Sequence, residues 1–355
     1  MQVHSNSHAY PIFVGENIRF QIKALLNKKY SSVLIISDEK VAALYLTKDF
    51  MNGLPSGQVY QSIITEGEQS KNIHTYYQLH TDALTYGLDR QSLIIALGGG
   101  VIGDLAGFVA ATYMRGIDYV QVPTTILAHD SSVGGKVAIN HDLGKNLIGS
   151  FYPPKAVVYD IGTLHSLTEK EIRSGYAELV KEALIADKDF FHSVIHTPLN
   201  ELSNEQLQEH IRLGIKIKAS IVEVDEKEAG IRKYLNLGHT LGHAMEAELG
   251  YGVLSHGEAV AIGLLFSLHL SEAMFSIKLP YETLLKWLRD NNYPLETFQL
   301  NEETLINKMK SDKKTVDNKI QMVLLKDIGK PTVEEVSEAD LKQYLTTFIR
   351  KLVEA

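Results

Sequence analysis

The 355-residue sequence predicts an α/β N-terminal domain built on a parallel sheet, followed by an all-α C-terminal domain. Three observations predict this. Strand-like runs alternate with helical patterns up to about residue 160, a glycine cluster stands at one strand-to-helix junction, and from Thr168 onward helix follows helix.

In chain order, 33–37 (Val-Leu-Ile-Ile-Ser) reads as a buried strand ended by Asp38-Glu39-Lys40. The run 92–97 is a second, leading directly into Gly98-Gly99-Gly100, and 119–123 and 156–160 are a third and fourth. The segment 72–86 between them has helical patterning, and such alternation requires crossover helices and hence parallel pairing. Thr168-Glu169-Lys170-Glu171 is a capping-box sequence that starts a helix running through Glu178 and Lys181. Further helices are expected over 204–223, 236–249, 256–276 and 281–291, then shorter ones to the end. The domains are therefore placed at 1–160 and 161–355, without internal repeats or low-complexity segments.

Hydrophobic residues make up 45% and charged residues 22%, a globular composition with little room for disorder. The absence of cysteine excludes disulfides, leaves any metal to histidine and carboxylate, and points to a reducing compartment, the cytoplasm. The start, Met1 to His8, lacks the basic and apolar stretches of a signal peptide. Apolar runs such as 259–266 are too short to span a bilayer. A net charge of −8 argues against nucleic-acid partners.

Gly98-Gly99-Gly100-Val101-Ile102-Gly103 matches G-x-G-x-x-G after a strand and before the helical 104–112, where backbone N–H groups approach a pyrophosphate. Glycines also mark any tight strand-to-helix turn. The ribose-binding acid normally lies about twenty residues further on, at the end of the next strand. Asp118 instead precedes that strand, and Asp38, ending the first one, is the better candidate.

His239-Thr240-Leu241-Gly242-His243 puts two imidazoles on one helical face, in a polar stripe of Asn236, His239, His243 and Glu246. Thr240 stands where a zinc protease needs its glutamate, so that chemistry is excluded. Ser255-His256-Gly257-Glu258 reads as a second capping box that puts His256 in the first turn of the next helix. Two of these histidines with a carboxylate, of which Glu178 is the best candidate, would make the open three-ligand site of catalytic zinc. Spacing does not decide between His239 and His243. Cations recur beside these segments: Arg115, Lys136, Lys145, Lys181, Lys218, Arg232, Lys313 and Lys314. Individually they read as surface residues; together they suit a ligand bearing phosphate and carboxylate.

Over essentially its whole length the chain resembles the 3-dehydroquinate synthases of the sugar-phosphate cyclase superfamily. The resemblance rests on Glu66-Gly67-Glu68-Gln69-Ser70-Lys71, the glycine loop through Asp104, Val122-Pro123-Thr124-Thr125, Asp130-Ser131-Ser132-Val133-Gly134-Gly135-Lys136, Gly144-Lys145-Asn146-Leu147-Ile148-Gly149, Gly175-Tyr176-Ala177-Glu178-Leu179-Val180-Lys181, the 235–243 segment and His256-Gly257-Glu258. His129 departs from the pattern, which has an apolar residue there.

The resemblance implies a Rossmann-like N-terminal domain, a helical C-terminal domain, a site in the cleft between them, and a homodimer. It implies Glu178, His239 and His256 as ligands of one divalent metal, zinc or cobalt. NAD contacts would come from Asp38, Glu68, Lys71, Gly100, Val101, Ile102, Gly103, Asp104, Thr124, Thr125, Lys136, Lys145, Thr163 and Ser166. Substrate contacts would come from Asp130, Lys136, Asn146, Lys181, Lys218, Arg232, Asn236 and His243, from Arg115 across the dimer, and from Lys313 or Lys314. The implied reaction turns 3-deoxy-D-arabino-heptulosonate 7-phosphate into 3-dehydroquinate and phosphate, a lyase step of the shikimate pathway. A sister sugar-phosphate cyclase and a metal-dependent polyol dehydrogenase are the competing readings. The Arg232 and Asn236 pair favours a carboxylate-bearing substrate over the first, and the lysines argue against the second.

Overall fold

A computed structural model of the chain describes residues 1–5, 7–250, 252–295, 301–312 and 319–354. It divides into two compact units, Met1–Leu167 with Lys218–Lys227, and Thr168–Ile217 with Glu228–Ala355. A single cut near residue 160 makes no provision for the return of 218–227 to the first unit.

The first unit contains β1 (Gln2–His4), β2 (Ala9–Gly15), β3 (Val33–Asp38), β4 (Val59–Ile64), β5 (Leu93–Gly98), β6 (Asp118–Pro123), β7 (Lys136–His141), β8 (Gly144–Phe151) and β9 (Ala156–Asp160). Its helices are α1 (Ile22–Leu26), α2 (Glu39–Tyr45), α3 (Lys48–Asn52), α4 (Ile73–Thr85), α5 (Gly100–Thr112) and α6 (Ala128–Ser131). Seven strands form one sheet in the order β1-β2-β9-β6-β5-β3-β4, parallel except for β1 against β2. β7 and β8 form a separate antiparallel hairpin.

Successive side chains on a strand point to opposite faces, so continuous apolar runs feed two cores. Leu34, Ile36, Ile94 and Ala96 pack with Leu79, Leu105 and Val109 on one face. Val33, Ile35, Leu93, Ile95 and Leu97 pack with Phe50 and Val158 on the other. The chain steps from β3 outward to β4, then returns to the opposite side of β3 as β5. The carboxyl ends of β3 and β5 therefore flank a topological switch point, where open α/β sheets bind ligands.

The second unit is helical, as the sequence predicts: α7 (Glu169–Ala186), α8 (Lys188–His196), α9 (Asn204–Val224, which from Lys218 onward belongs to the first unit), α10 (His239–Leu249), α11 (His256–Phe275), α12 (Tyr281–Asp290), α13 (Glu302–Asp312) and α14 (Glu338–Glu354). It also holds an antiparallel ribbon of β10 (Lys319–Leu325) and β11 (Pro331–Ser337), which the all-α expectation lacks. Periodicity cannot separate strand from helix in so short an apolar run as 322–325; Gly329 (φ +80°) and Pro331 mark the turn instead. The capping box at Thr168 forms. Residues 231–236 form a 3-10 turn, so the helix expected from 236 begins only at His239, after left-handed Gly238. At 20 residues α11 is long and apolar enough to cross a membrane, although its uninterrupted apolar run is short. Most of it is buried inside the second unit, which makes it a core helix.

Glycines bring α7, α10 and α11 together backbone to backbone. A Cβ on Gly263 would fall 1.9 Å from the carbonyl oxygen of Gly238, and one on Gly257 would fall 1.9 Å from that of Ser174. Gly263→Ala should therefore force α11 off α10 and lower the unfolding free energy by about 1–3 kcal/mol, measured by urea titration. Elsewhere in the unit, buried His210 lies between Tyr176 Oη (3.2 Å from Nδ1) and Ser193 Oγ (3.0 Å from Nε2), and burial lowers its pKa below 6.5. Below pH 6.5 the unfolded chain takes up a proton that the folded chain resists, so this contribution to stability is lost as pH falls. The urea midpoint should drop between pH 7 and 5, with a shallower drop in His210→Gln.

Candidate active site

The nucleotide-type residues of the first unit gather at the carboxyl ends of adjacent strands. Asp38 ends β3 and caps α2, its Oδ1 accepting from Val41 N at 2.8 Å. Gly98 to Gly100 follow β5, Thr124 and Thr125 follow β6, and Thr163 and Ser166 follow β9. Asp118 lies at the opposite end of the sheet, hydrogen-bonded to Lys28 (2.7 Å) and Tyr30 (2.9 Å), which removes it as the ribose acid. Asp38 stands at the carboxyl end of β3, the strand beside β5, which precedes β5 in sequence, so an acid there escapes the usual spacing.

These residues fit a dinucleotide. Gly99 caps α5 without a side-chain hydrogen bond, leaving the first-turn N–H groups open. A Cβ on Gly99 would meet Thr125 Cγ2 at 3.1 Å, and one on Gly100 would meet Ser131 Oγ at 3.1 Å, tight contacts that would push on those side chains. Gly103 and Gly107 serve packing: added Cβ atoms would lie 2.7 Å from Gln121 Oε1 and 2.4 Å from Val137 Cγ1. Val101 and Ile102 occupy the first turn of α5, and Ile102 is buried. The buried Oγ atoms of Thr124 and Ser131 have no hydrogen-bond partner. Tyr45 Oη donates to Thr163 O and Ser166 Oγ, both at 2.7 Å, which fixes the turn after β9.

Beside this crevice, Lys71 Nζ contacts Asp104 Oδ2 and Asn146 Oδ1, both at 2.5 Å. Burial raises the Asp104 pKa, and Lys71 opposes that. Lys218 Nζ donates to the carbonyl oxygen of Asp130 and, at 2.7 Å, to its Oδ2. Lys136 at the start of β7 is exposed, and Lys145 in β8 is half-buried. Arg115 is exposed and left-handed (φ +69°), next to left-handed Met114 (φ +49°), an arrangement that aims its side chain out of the turn after α5. His129 fills its expected apolar place as a fully buried residue, with Nδ1 2.6 Å from Ile126 O.

In the second unit α7, α10 and the start of α11 bring four groups together. Glu178 Oε1 lies 3.3 Å from His239 Nε2 and 3.2 Å from His256 Nε2, and Lys181 Nζ lies 2.5 Å from Oε2. The other ring edges are committed: His239 Nδ1 to Leu237 O at 3.1 Å and His256 Nδ1 to Glu246 Oε2 at 3.0 Å. Nδ1 therefore donates in each ring, and each Nε2 faces Glu178, able to hold a cation when deprotonated or to donate to the carboxylate when protonated. His243 stands at the same place, its ring 5.3 Å from that of His239 and 5.8 Å from that of His256. Nitrogen atoms of all three histidines lie within 4.8 Å of one another, so geometry admits a three-histidine set as well as Glu178 with His239 and His256. The second is favoured because it includes the fully buried Glu178 carboxylate, whose Oε2 pairs with Lys181 while Oε1 faces both Nε2 atoms, where a divalent cation would offset its burial.

The electrostatics agree. Burial alone would raise the Glu178 pKa, but Lys181 and His239 outweigh it and hold the carboxylate well below the usual range. Burial would lower His256, yet hydrogen bonds to Glu178 and Glu246 push it up to about 10. His239, which has only one carboxylate beside it, goes the other way under burial. Hard oxygen and imidazole donors suit a divalent cation such as zinc or cobalt.

Arg232 is fully buried in the 3-10 turn before α10, and Asn236 Nδ2 donates to Glu228 Oε1 at 2.7 Å. Lys313 and Lys314 lie outside the described residues. Sequence reasoning placed Glu246 in the polar stripe without a role; its spacing from His243 hinted at the shared face, but only the fold brings it to His256. Glu246→Ala should weaken zinc binding about 10–100-fold, measured by competition with a chelator.

A nucleotide crevice in an α/β unit and a carboxylate–imidazole cation site in a helical unit define an enzyme of the class that pairs a dinucleotide with a metal. Family models described as 3-dehydroquinate synthase N-terminal and C-terminal match residues 61–174 and 175–315. A 3-dehydroquinate synthase of Oceanobacillus iheyensis is 56% identical, covering 99% of this chain and 98% of its own. One of Halalkalibacterium halodurans is 48% identical, with 99% and 98% covered. A crystal structure of 2-deoxy-scyllo-inosose synthase with carbaglucose-6-phosphate, NAD+ and Co2+ superposes with a TM-score of 0.87 at 26% identity, covering 97% of this chain and 98% of that one. The chain belongs to the 3-dehydroquinate synthase family.

Proposed function

We propose that this chain converts 3-deoxy-D-arabino-heptulosonate 7-phosphate into 3-dehydroquinate and inorganic phosphate, a carbon–oxygen lyase reaction, as a cytoplasmic homodimer using NAD and one divalent cation, zinc or cobalt. The observation that carries this reading is the buried Glu178 carboxylate facing two imidazole nitrogens, in a chain 56% identical to a 3-dehydroquinate synthase. When bound, the cation would acidify a substrate hydroxyl, and NAD would accept a hydride and later return it.

The chain's own residues bind, orient and manage charge. Glu178, His239 and His256 hold the cation, with His243 left to the substrate. Asp38, Glu68, Lys71, the loop from Gly100 to Asp104, Thr124, Thr125, Lys145 and the turn from Thr163 to Ser166 hold NAD, joined by Lys136. Arg232 offers a fork for the substrate carboxylate, with Asn236 beside it. Lys136, Lys181, Lys218, Asp130, Asn146 and, from the second protomer, Arg115 surround the hydroxyls and phosphate. The lysines offset charge on the departing phosphate, which itself takes the neighbouring carbon-bound proton. Ring opening and an intramolecular aldol closure need orientation and exclusion of water more than further catalytic groups.

Incubation with the heptulosonate phosphate, NAD and zinc or cobalt should release phosphate without net NADH. Accumulating NADH would indicate a polyol dehydrogenase and overturn the reading. His239→Ala should lose both the metal, by elemental analysis, and turnover; full activity with metal retained would remove His239 from the site.

A further inference from the structure

The β7–β8 ladder pairs Ile139 with Ile148, then His141 with Gly144. One residue of β7, Asn140, thus lies opposite three of β8, so 145–147 bulge from the hairpin. Bulges re-aim side chains, and they recur beside active sites. Asn146 stands in this bulge with left-handed backbone (φ +57°), and Asn140 on the facing strand has no ladder partner opposite it.

Asn140 bonds to two separate segments. Its Oδ1 accepts from Asn146 N at 2.9 Å, its Nδ2 donates to Glu68 Oε1 at 2.7 Å, and its backbone N donates to Lys71 O at 2.8 Å. Lys71 completes the ring by donating to Asn146 Oδ1. An ammonium group only donates, so this contact fixes the Asn146 amide with oxygen toward Lys71. The Asn146 Nδ2 donor is thereby turned away from Lys71, and among the described residues it makes no hydrogen bond.

We propose that Asn140 is a positioning residue: it ties the Glu68–Lys71 segment, which contacts NAD, to the Asn146 amide, which donates to a substrate oxygen. Loss of Asn140 frees the bulge and lets the amide rotate, and it loosens the carboxylate of Glu68. The inference rests on the assignment of Asn146 to the substrate and of Glu68 and Lys71 to NAD.

The test is a double-mutant cycle on the full-length, metal-loaded enzyme, with NAD affinity read separately by calorimetry. Asn146→Ala and Asn140→Ala should each raise KM for the heptulosonate phosphate about tenfold, the effect of one lost hydrogen bond. In the Asn146→Ala background, adding Asn140→Ala should raise KM no further, because the amide it positions is gone. Asn140→Asp keeps the acceptor for Asn146 N but sets a carboxylate against Glu68. It should therefore weaken NAD binding severalfold and leave KM near the parent value. A KM unmoved by Asn146→Ala overturns the assignment of Asn146, and the proposal with it. A KM raised by Asn146→Ala but not by Asn140→Ala, or additive effects in the double variant, overturns the proposal alone. If Asn140→Ala does not fold, Asn140→Asp decides: unchanged NAD affinity refutes the link.

Discussion

In the second unit, the buried Glu178 carboxylate faces two partly exposed imidazoles whose opposite edges are already committed to Leu237 O and Glu246. With both Nε2 atoms deprotonated, lone pairs would face a buried carboxylate, which is repulsive. The arrangement persists only if a cation or a proton sits among these atoms, and the Glu178 and Glu246 carboxylates on either side of His256 favour its protonated form. Much of the helical unit exists to hold this geometry. Ser174 Oγ accepts from Gly257 N at 3.1 Å and Arg173 binds Glu258 at 3.0 Å, which pins the first turn of α11 to the helix carrying Glu178. The glycine contact between Gly238 and Gly263 sets the distance from α10 to α11. Side chains there would be ordinary helix formers, but they would separate the ligands.

The first unit meets a different constraint. Its parallel strands are saturated with apolar residues on both faces, so polar chemistry is confined to their ends. The reversal of winding at β3 and β5 leaves those ends uncovered, with Asp38 on one side and the glycine loop on the other. At Gly99 and Gly100 a methyl group would crowd Thr125 and Ser131 beside the helix N-terminus.

The four strands read from the sequence are all in the sheet, because period-2 and continuous apolar runs bounded by glycine or charge survive folding almost unchanged. The capping boxes at Thr168 and Ser255 form for the same local reason. The polar stripe His239, His243, Glu246 was visible as one helical face. What was not legible depends on neighbours distant in sequence. Strand order, and hence the choice of Asp38 over Asp118, comes from topology. The partnership of Glu246 with His256 comes from the crossing of α10 and α11. The ribbon 319–337 has too short an apolar run for its period to declare itself, and the Asn140 contacts arise from a bulge that no pattern of apolar residues announces.

The same two-unit plan could serve simple alcohol oxidation, since a nucleotide crevice and a cation site are sufficient for that, and fold alone does not choose the reaction. The difference must lie in groups that a plain oxidation leaves without a task. Lys181 is buried against Glu178 and Arg232 is buried before α10, in a chain with net charge −8. Burying a cation costs several kcal/mol unless an anion meets it, and within the chain Glu178 already does so for Lys181. Oxidation of a neutral polyol brings no such anion, whereas a substrate with a carboxylate and a departing phosphate brings two. In the proposed reaction the buried charge of Lys181 and Arg232 would meet a substrate carboxylate and a departing phosphate, a demand that plain alcohol oxidation does not make.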